Sequence, residues 1–205
     1  DEIKKRDRDA LVVAVGFPAR AMEGIVFKEA LVKTPLPQKP PRAAAEALDK
    51  VHAEMLRILK EGKYDVVDFH SYEQHAFVRE KAAWCRKNAR KGAAVWALEA
   101  GGPFQKTTEG YTDERNAQFV VKQHVQAFAG GVDRYTWALG TPKPGGVWDS
   151  EPWTLMPLTT RSGGKPAPKP SYAAYRLMVE KLRGFTKVED LSPPSEAPAA
   201  RRPVV

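Results

Sequence analysis

Cysteine is almost absent from this chain. Cys85 is the only one in 205 residues, so no internal disulfide and no cysteine-rich metal site can form. Apolar runs are short, and none approaches the roughly 20 residues that a membrane-spanning helix needs. The charged start, "DEIKKRDRD", is unlike a signal peptide. There is no glycine-rich phosphate loop, since "VGFPARAMEG" is too sparse in glycine to form one. His, Cys and Asp do not recur at metal-ligand spacing either, so neither a metal nor an organic cofactor is expected. A net charge of +8 and a pI near 9.5 would suit nucleic-acid binding. Yet the basic residues are scattered apart from "KKRDR", "RKNARK" and "ARR", and none of these interleaves with aromatics as a base-stacking surface does. The charge reads as solvated surface, and neither nucleic acid nor membrane is expected as a partner.

Hydrophobic residues make up 42% of the chain and charged residues 28%, the balance of a globular domain with a buried core. We read residues 1–190 as one folded unit and residues 191–205, rich in Pro, Ala and Arg, as a disordered tail. The first residue is Asp1 rather than Met, as expected of a processed product or a fragment.

Within the folded unit, "ALVVAVG" (10–16) reads as a buried strand. Residues 17–41 read as irregular, ending in the proline-rich "KTPLPQKPP". Residues 42–62 form the clearest helical pattern, with a stripe of Ala44, Leu48, Val51, Met55 and Leu59. "YDVVDFHSY" (64–72) is a second strand, whose alternation sets Val66, Asp68, His70 and Tyr72 opposite Val67 and Phe69. A helix follows over 75–90. The third strand, 93–99, has Val95, Ala97 and Glu99 on one face and Trp96 and Leu98 on the other. Residues 112–131 give a helix capped by Thr112 or Asp113, with Ala117, Val121, His124, Val125 and Phe128 as its apolar stripe. The fourth strand is 132–140. A loop over 140–170 carrying Trp148 and Trp153 reads as functional, and a last helix covers 171–183. His52 and His124 both read as packing histidines. Strand and helix thus alternate four times, which predicts an α/β fold with a parallel sheet. Spacing alone leaves an open doubly wound sheet and part of a barrel as alternatives.

The carboxyl ends of the last three strands carry the chemistry. "AAVWALEAGG" (93–102) ends an apolar strand in Glu99, followed by Ala100 and then two glycines. Buried carboxylates are costly unless compensated, and strand ends are where α/β enzymes keep their catalytic groups. Glu99 therefore reads as a catalytic group rather than half of a rim ion pair. His70 and Tyr72 end the strand before it, and Trp137 stands near the end of the next. A carboxylate, an imidazole, a phenol and an indole around one pocket suit a sugar: the indole stacks on the ring, and the carboxylate attacks the anomeric carbon.

"YDVVDFHSYE", "VWALEAGG", "GGVDRYTWALG" and "KPSYAAYRLMVEKL" together resemble the carboxyl-terminal half of the (β/α)8-barrel glycoside hydrolases of the large retaining clan, which includes cellulase-like, mannanase-like and β-xylosidase-like enzymes. The resemblance spans roughly residues 8–188 and implies a partial TIM barrel of four consecutive βα units, strands five to eight. It implies Glu99 as the catalytic nucleophile, His70 and Tyr72 as residues that position sugar and nucleophile, and Trp137 as the platform beneath the sugar. An oligo- or polysaccharide would be the substrate. Family members are often exported, which favours an extracellular or periplasmic place.

One feature of the family is missing. Its general acid/base is a Glu that follows an Asn at the end of the fourth strand, and neither Asn88 nor Asn116 precedes a Glu. Glu73, near the same rim, could in principle substitute. A half barrel also leaves open edges and an exposed inner face. The expected partners are accordingly a missing amino-terminal half, which the fragment reading favours, or a second copy of the chain. The rival class is a non-catalytic carbohydrate-binding or scaffold domain.

Overall fold

Residues rich in β-branched and aromatic side chains form three parallel strands in the computed structural model: β1 (Val66–Tyr72), β2 (Ala94–Gly101) and β3 (Arg134–Trp137). The structure describes residues 2–14, 16–29, 42–72, 77–102, 111–138, 155–162 and 165–189. The helices are α1 (Glu2–Arg6), α2 (Ala19–Lys28), α3 (Arg42–Glu61), α4 (Val78–Asn88), α5 (Asp113–Ala129) and α6 (Pro170–Leu182). A short antiparallel hairpin, β4 (Thr159–Ser162) with β5 (Lys165–Pro168), precedes α6.

The sheet runs β1-β2-β3 in chain order. The strand expected over 10–16 lies on the free side of β1 as two isolated parallel bridges, Val13 to Val66 and Phe17 to Phe69. Ala14 and Phe17 donate to Val66 and Asp68 carbonyls at 2.9 Å, and His70 donates back to Phe17 at 2.8 Å. Four parallel segments therefore stand side by side in sequence order. Val67, Phe69, Val95, Ala97, Ala100, Tyr135 and Trp137 share one face and join a core with Met22, Ile25, Leu59, Trp84, Phe119 and Val120 from the helices. The opposite face holds Asp68, His70, Tyr72, Trp96 and Glu99, with Arg134 and Thr136 exposed beside them.

Several sequence expectations need correction. Residues 19–28 are not irregular but helical. Met22, Ile25 and Val26 supply the apolar face of α2, all fully buried. Gly24 obscured that pattern, yet it is where α2 meets α3: a Cβ there would lie 2.8 Å from Leu48 Cδ2. In α5 the buried face is rotated from the expected stripe. Asn116, Phe119, Val120, Gln123, His124 and Ala127 are buried, while Val125 is exposed. Val51 of the α3 stripe is also exposed, whereas Met55 and Leu59 are buried; the side chain of Ala44 lies outside the described residues. His52 packs as expected, its ring 5.7 Å from Trp84 and its Nε2 3.1 Å from Glu29. The proline-rich loop, Glu73, Trp148, Trp153 and the tail from 191 lie outside the described residues.

Phe69 is fully buried at the centre of this core, whereas Leu177 on α6 is 54% exposed. Phe69→Ala should lower the unfolding free energy by about 3–5 kcal/mol in urea denaturation. Leu177→Ala should stay within about 0.5 kcal/mol.

Candidate active site

A regular strand would have put Glu99 in the wrong place. β1 advances two residues from Asp68 to His70 while β2 advances three, from Trp96 to Glu99. β3 meets the same irregularity, Tyr135 opposite Ala97 and Trp137 opposite Ala100. The extra residue is a β-bulge, which reverses the alternation beyond it. Glu99 therefore leaves the face of Val95 and Ala97, where unbroken alternation put it, and stands opposite His70. Ala100 takes the core side instead and is fully buried.

On the open side the three groups meet. The Tyr72 hydroxyl donates a hydrogen bond to Glu99 Oε1. His70 Nε2 is 3.6 Å from Glu99 Oε2 and 4.0 Å from Asp68 Oδ2. Burial, and then the adjacent Glu99 carboxylate, push the Tyr72 phenol well above its ordinary range, so it stays a donor. Asp68 is the residue sequence reasoning placed on this face without assigning it to the site. It is buried, and its Oδ1 accepts the Leu98 N–H at 2.8 Å. Burial raises its carboxyl above the usual range, opposed by the Leu98 bond. Exposure climbs outward along the cluster: the side chains of Asp68, His70 and Glu99 are 8%, 26% and 44% accessible.

The two glycines after Glu99 are held from beneath. Asn116 Nδ2 donates to the Gly102 carbonyl at 2.8 Å, and Gln123 Nε2 to Gly101 at 3.2 Å. Tyr135 in turn donates to Gln123 Oε1. Both amides are fully buried, and they were missed because they interrupt an apolar stripe. Gly102 has φ 124°, a backbone other residues resist. A Cβ on Gly101 would collide with Met156 Sδ and lie 3.3 Å from the Tyr72 ring. Gly16 is similarly required: a Cβ there would overlap His70 Nε2 and lie 2.7 Å from Asp68 Oδ2.

Trp137 is not brought to this cluster. It lies on the helix side with Ala100 and is only 7% exposed. Its indole N–H donates to the Met156 carbonyl at 3.0 Å, and its ring stacks on His124 at 6.2 Å. The expected sugar platform is thus a core aromatic, because β3 has only four residues and keeps its alternation through Trp137. Besides Tyr72, Trp96 shares the Glu99 side of the sheet among the described residues, with the Arg134 guanidinium 4.3 Å above its ring.

His124 packs as its sequence position suggested. Its Nδ1 pairs with the Val120 carbonyl at 2.6 Å, and Tyr135 and Tyr175 meet it edge-on. Burial lowers its pKa from 6.5 to about 4. The folded protein thus disfavours the imidazolium, so this residue's contribution is complete above pH 6.5 and lost as pH falls through that window toward 4. At 1.36 kcal/mol per pK unit the loss is roughly 3 kcal/mol. A His124→Gln variant should show an acid limb flatter by about that amount between pH 6.5 and 4 in denaturant titrations.

Among the described residues no group of three or more His, Cys, Asp and Glu is arranged to hold a metal ion, and no helix is long and apolar enough to cross a membrane. No protein-family model, curated protein or solved structure matches the chain.

Proposed function

We propose that the chain is a retaining glycoside hydrolase unit with Glu99 as nucleophile, built as four consecutive βα units of a (β/α)8 barrel. The observation that carries this reading is the hydrogen bond from Tyr72 to Glu99 with His70 Nε2 3.6 Å from the other carboxylate oxygen, at the carboxyl end of a parallel sheet. The sheet supports the architecture. A doubly wound sheet reverses its strand order and covers both faces. Here the order is sequential and the helical side chains of the core lie on one face. A barrel wall shares both features, which supports this reading.

Chemically, Tyr72 steadies Oε1 and leaves Oε2 to attack an anomeric carbon. His70, on the same face, orients a sugar hydroxyl. The bond to the leaving oxygen breaks as a second carboxyl protonates it, and water then releases the sugar from Glu99. That second carboxyl must lie about 5–5.5 Å from Glu99. The described strands put two carboxyls on this face, and Asp68, buried beneath His70, cannot reach a glycosidic oxygen. The acid/base is therefore taken to come from outside the described strands: from Glu73, which lies outside the described residues, or from further strands that continue the curve, on a preceding half of the protein or a second copy. Without it, the unit retains sugar binding and the first chemical step on substrates whose leaving group needs little protonation. This same shortage favours a binding-only role as the second reading.

An activated 2-deoxy-2-fluoroglycoside separates the two. Peptide mass spectrometry should find the sugar on Glu99 in the wild type and none in Glu99→Gln. Tyr72→Phe should slow labelling about 10- to 100-fold, the range for a hydrogen bond to a charged group. Protein that binds oligosaccharide but never acquires the label would establish the binding reading instead.

A further inference from the structure

We infer that Asp68 is the positioning residue for Glu99: its carboxylate captures the backbone N–H freed by the β2 bulge, and that bulge is what turns Glu99 toward His70 and Tyr72. In regular pairing, His70 would face Leu98 and Ser71 would face Glu99. The carboxylate would then point into the helix layer with Val95 and Ala97. The observed register puts Glu99 opposite His70 and Ala100 opposite Ser71. A bulge leaves its extra residue outside the ladder, and a buried amide without a partner is costly. Leu98 donates its amide to Asp68 Oδ1 at 2.8 Å. Asp68 lies on β1, opposite Trp96 and just before the irregularity begins, so its side chain spans the gap.

The surroundings keep Asp68 on this task. The leading segment passes so close that only glycine fits at position 16, 2.7 Å from Asp68 Oδ2 by its missing Cβ. The carboxyl also interacts with the Phe69 backbone amide, and His70 Nε2 lies 4.0 Å away with Glu99 beyond it. Asp68 touches neither the open side of the site nor a reacting atom; it acts through the backbone of β2. The effect on catalysis rests on Glu99 being the nucleophile, whereas the effect on the bulge does not.

The test compares Asp68→Ala and Asp68→Asn in the full chain. It reads Leu98 amide hydrogen exchange by NMR and Glu99 labelling by the activated 2-deoxy-2-fluoroglycoside. Asp68→Ala should lose Leu98 protection by about 10- to 100-fold, as expected for an amide stripped of its acceptor. It should also slow labelling at least about tenfold, more than it weakens binding of intact oligosaccharide. Asp68→Asn keeps an acceptor oxygen and should restore the protection and most of the labelling. Wild-type Leu98 protection in Asp68→Ala would overturn the inference, as would an Asp68→Asn protein that folds yet loses Leu98 protection. If Asp68→Ala does not fold, the Asn variant decides by the same exchange measurement. Should the wild type itself take no label, the nucleophile reading fails, while Leu98 exchange still decides the role of Asp68.

Discussion

An acidic side chain at the end of an apolar strand has two places to go, and in this protein one inserted residue chooses between them. β2 advances three residues where its neighbours advance two, from Trp96 to Glu99 against β1 and from Ala97 to Ala100 against β3. That turns Glu99 out of a layer filled by Ala82, Val120 and Phe119, where an unpaired carboxylate would be costly, and onto the side where two polar groups await it. The glycines follow from the same constraint. Once the strand has bulged, its end must clear Met156 and the Tyr72 ring at position 101 and adopt a positive φ at 102.

The helix layer serves the site indirectly. Asn116 and Gln123 project from α5 into the core and accept the cost of burial because each finds a glycine carbonyl. Tyr135 completes Gln123, so the end of β2, the middle of α5 and β3 form one hydrogen-bonded unit. His124, Trp137 and Tyr175 extend that unit through ring contacts to α6. The strand end bearing Glu99 is thereby fixed from below by rigid elements rather than by a loop, which is how a reacting group keeps its geometry.

Much of this was legible in the sequence. The strands expected over 64–72, 93–99 and 132–140 are present as 66–72, 94–101 and 134–137, and α3, α4, α5 and α6 lie where helices were expected. The grouping of Asp68, His70 and Tyr72 followed from alternation, and the sheet bears it out. Alternation failed at Glu99 because it assumes an unbroken period of two, and nothing in "VWALEAGG" marks where a residue is inserted. The meeting of Glu99 with His70 and Tyr72 was expected from strand ends and resemblance, but the route to it, through a bulge, was not. Trp137 went the other way: its place near a strand end suggested a rim, while its alternation with Arg134 and Thr136 already put it on the core side. Asn116 and Gln123 were hidden because buried amides look like surface residues until their partners, here backbone carbonyls on another strand, are known.

The gradient of burial across the cluster bears on what closing the proposed barrel would do. Glu99 is now almost half accessible, so further strands curving over this face would strip it of water. A carboxylate stripped of water needs other donors to compensate it. Tyr72 already donates to one of its oxygens and His70 already stands beside the other, so the groups that replace water are in place before any enclosure forms. An arrangement of this kind costs no reorganisation when the site dries and strengthens as the local dielectric falls. A structural carboxylate on a solvated rim would need neither a half-buried phenol nor a strand bent to meet it. The preparation of this side chain for an environment drier than the one it now occupies is the strongest physical argument that the face is meant to be covered.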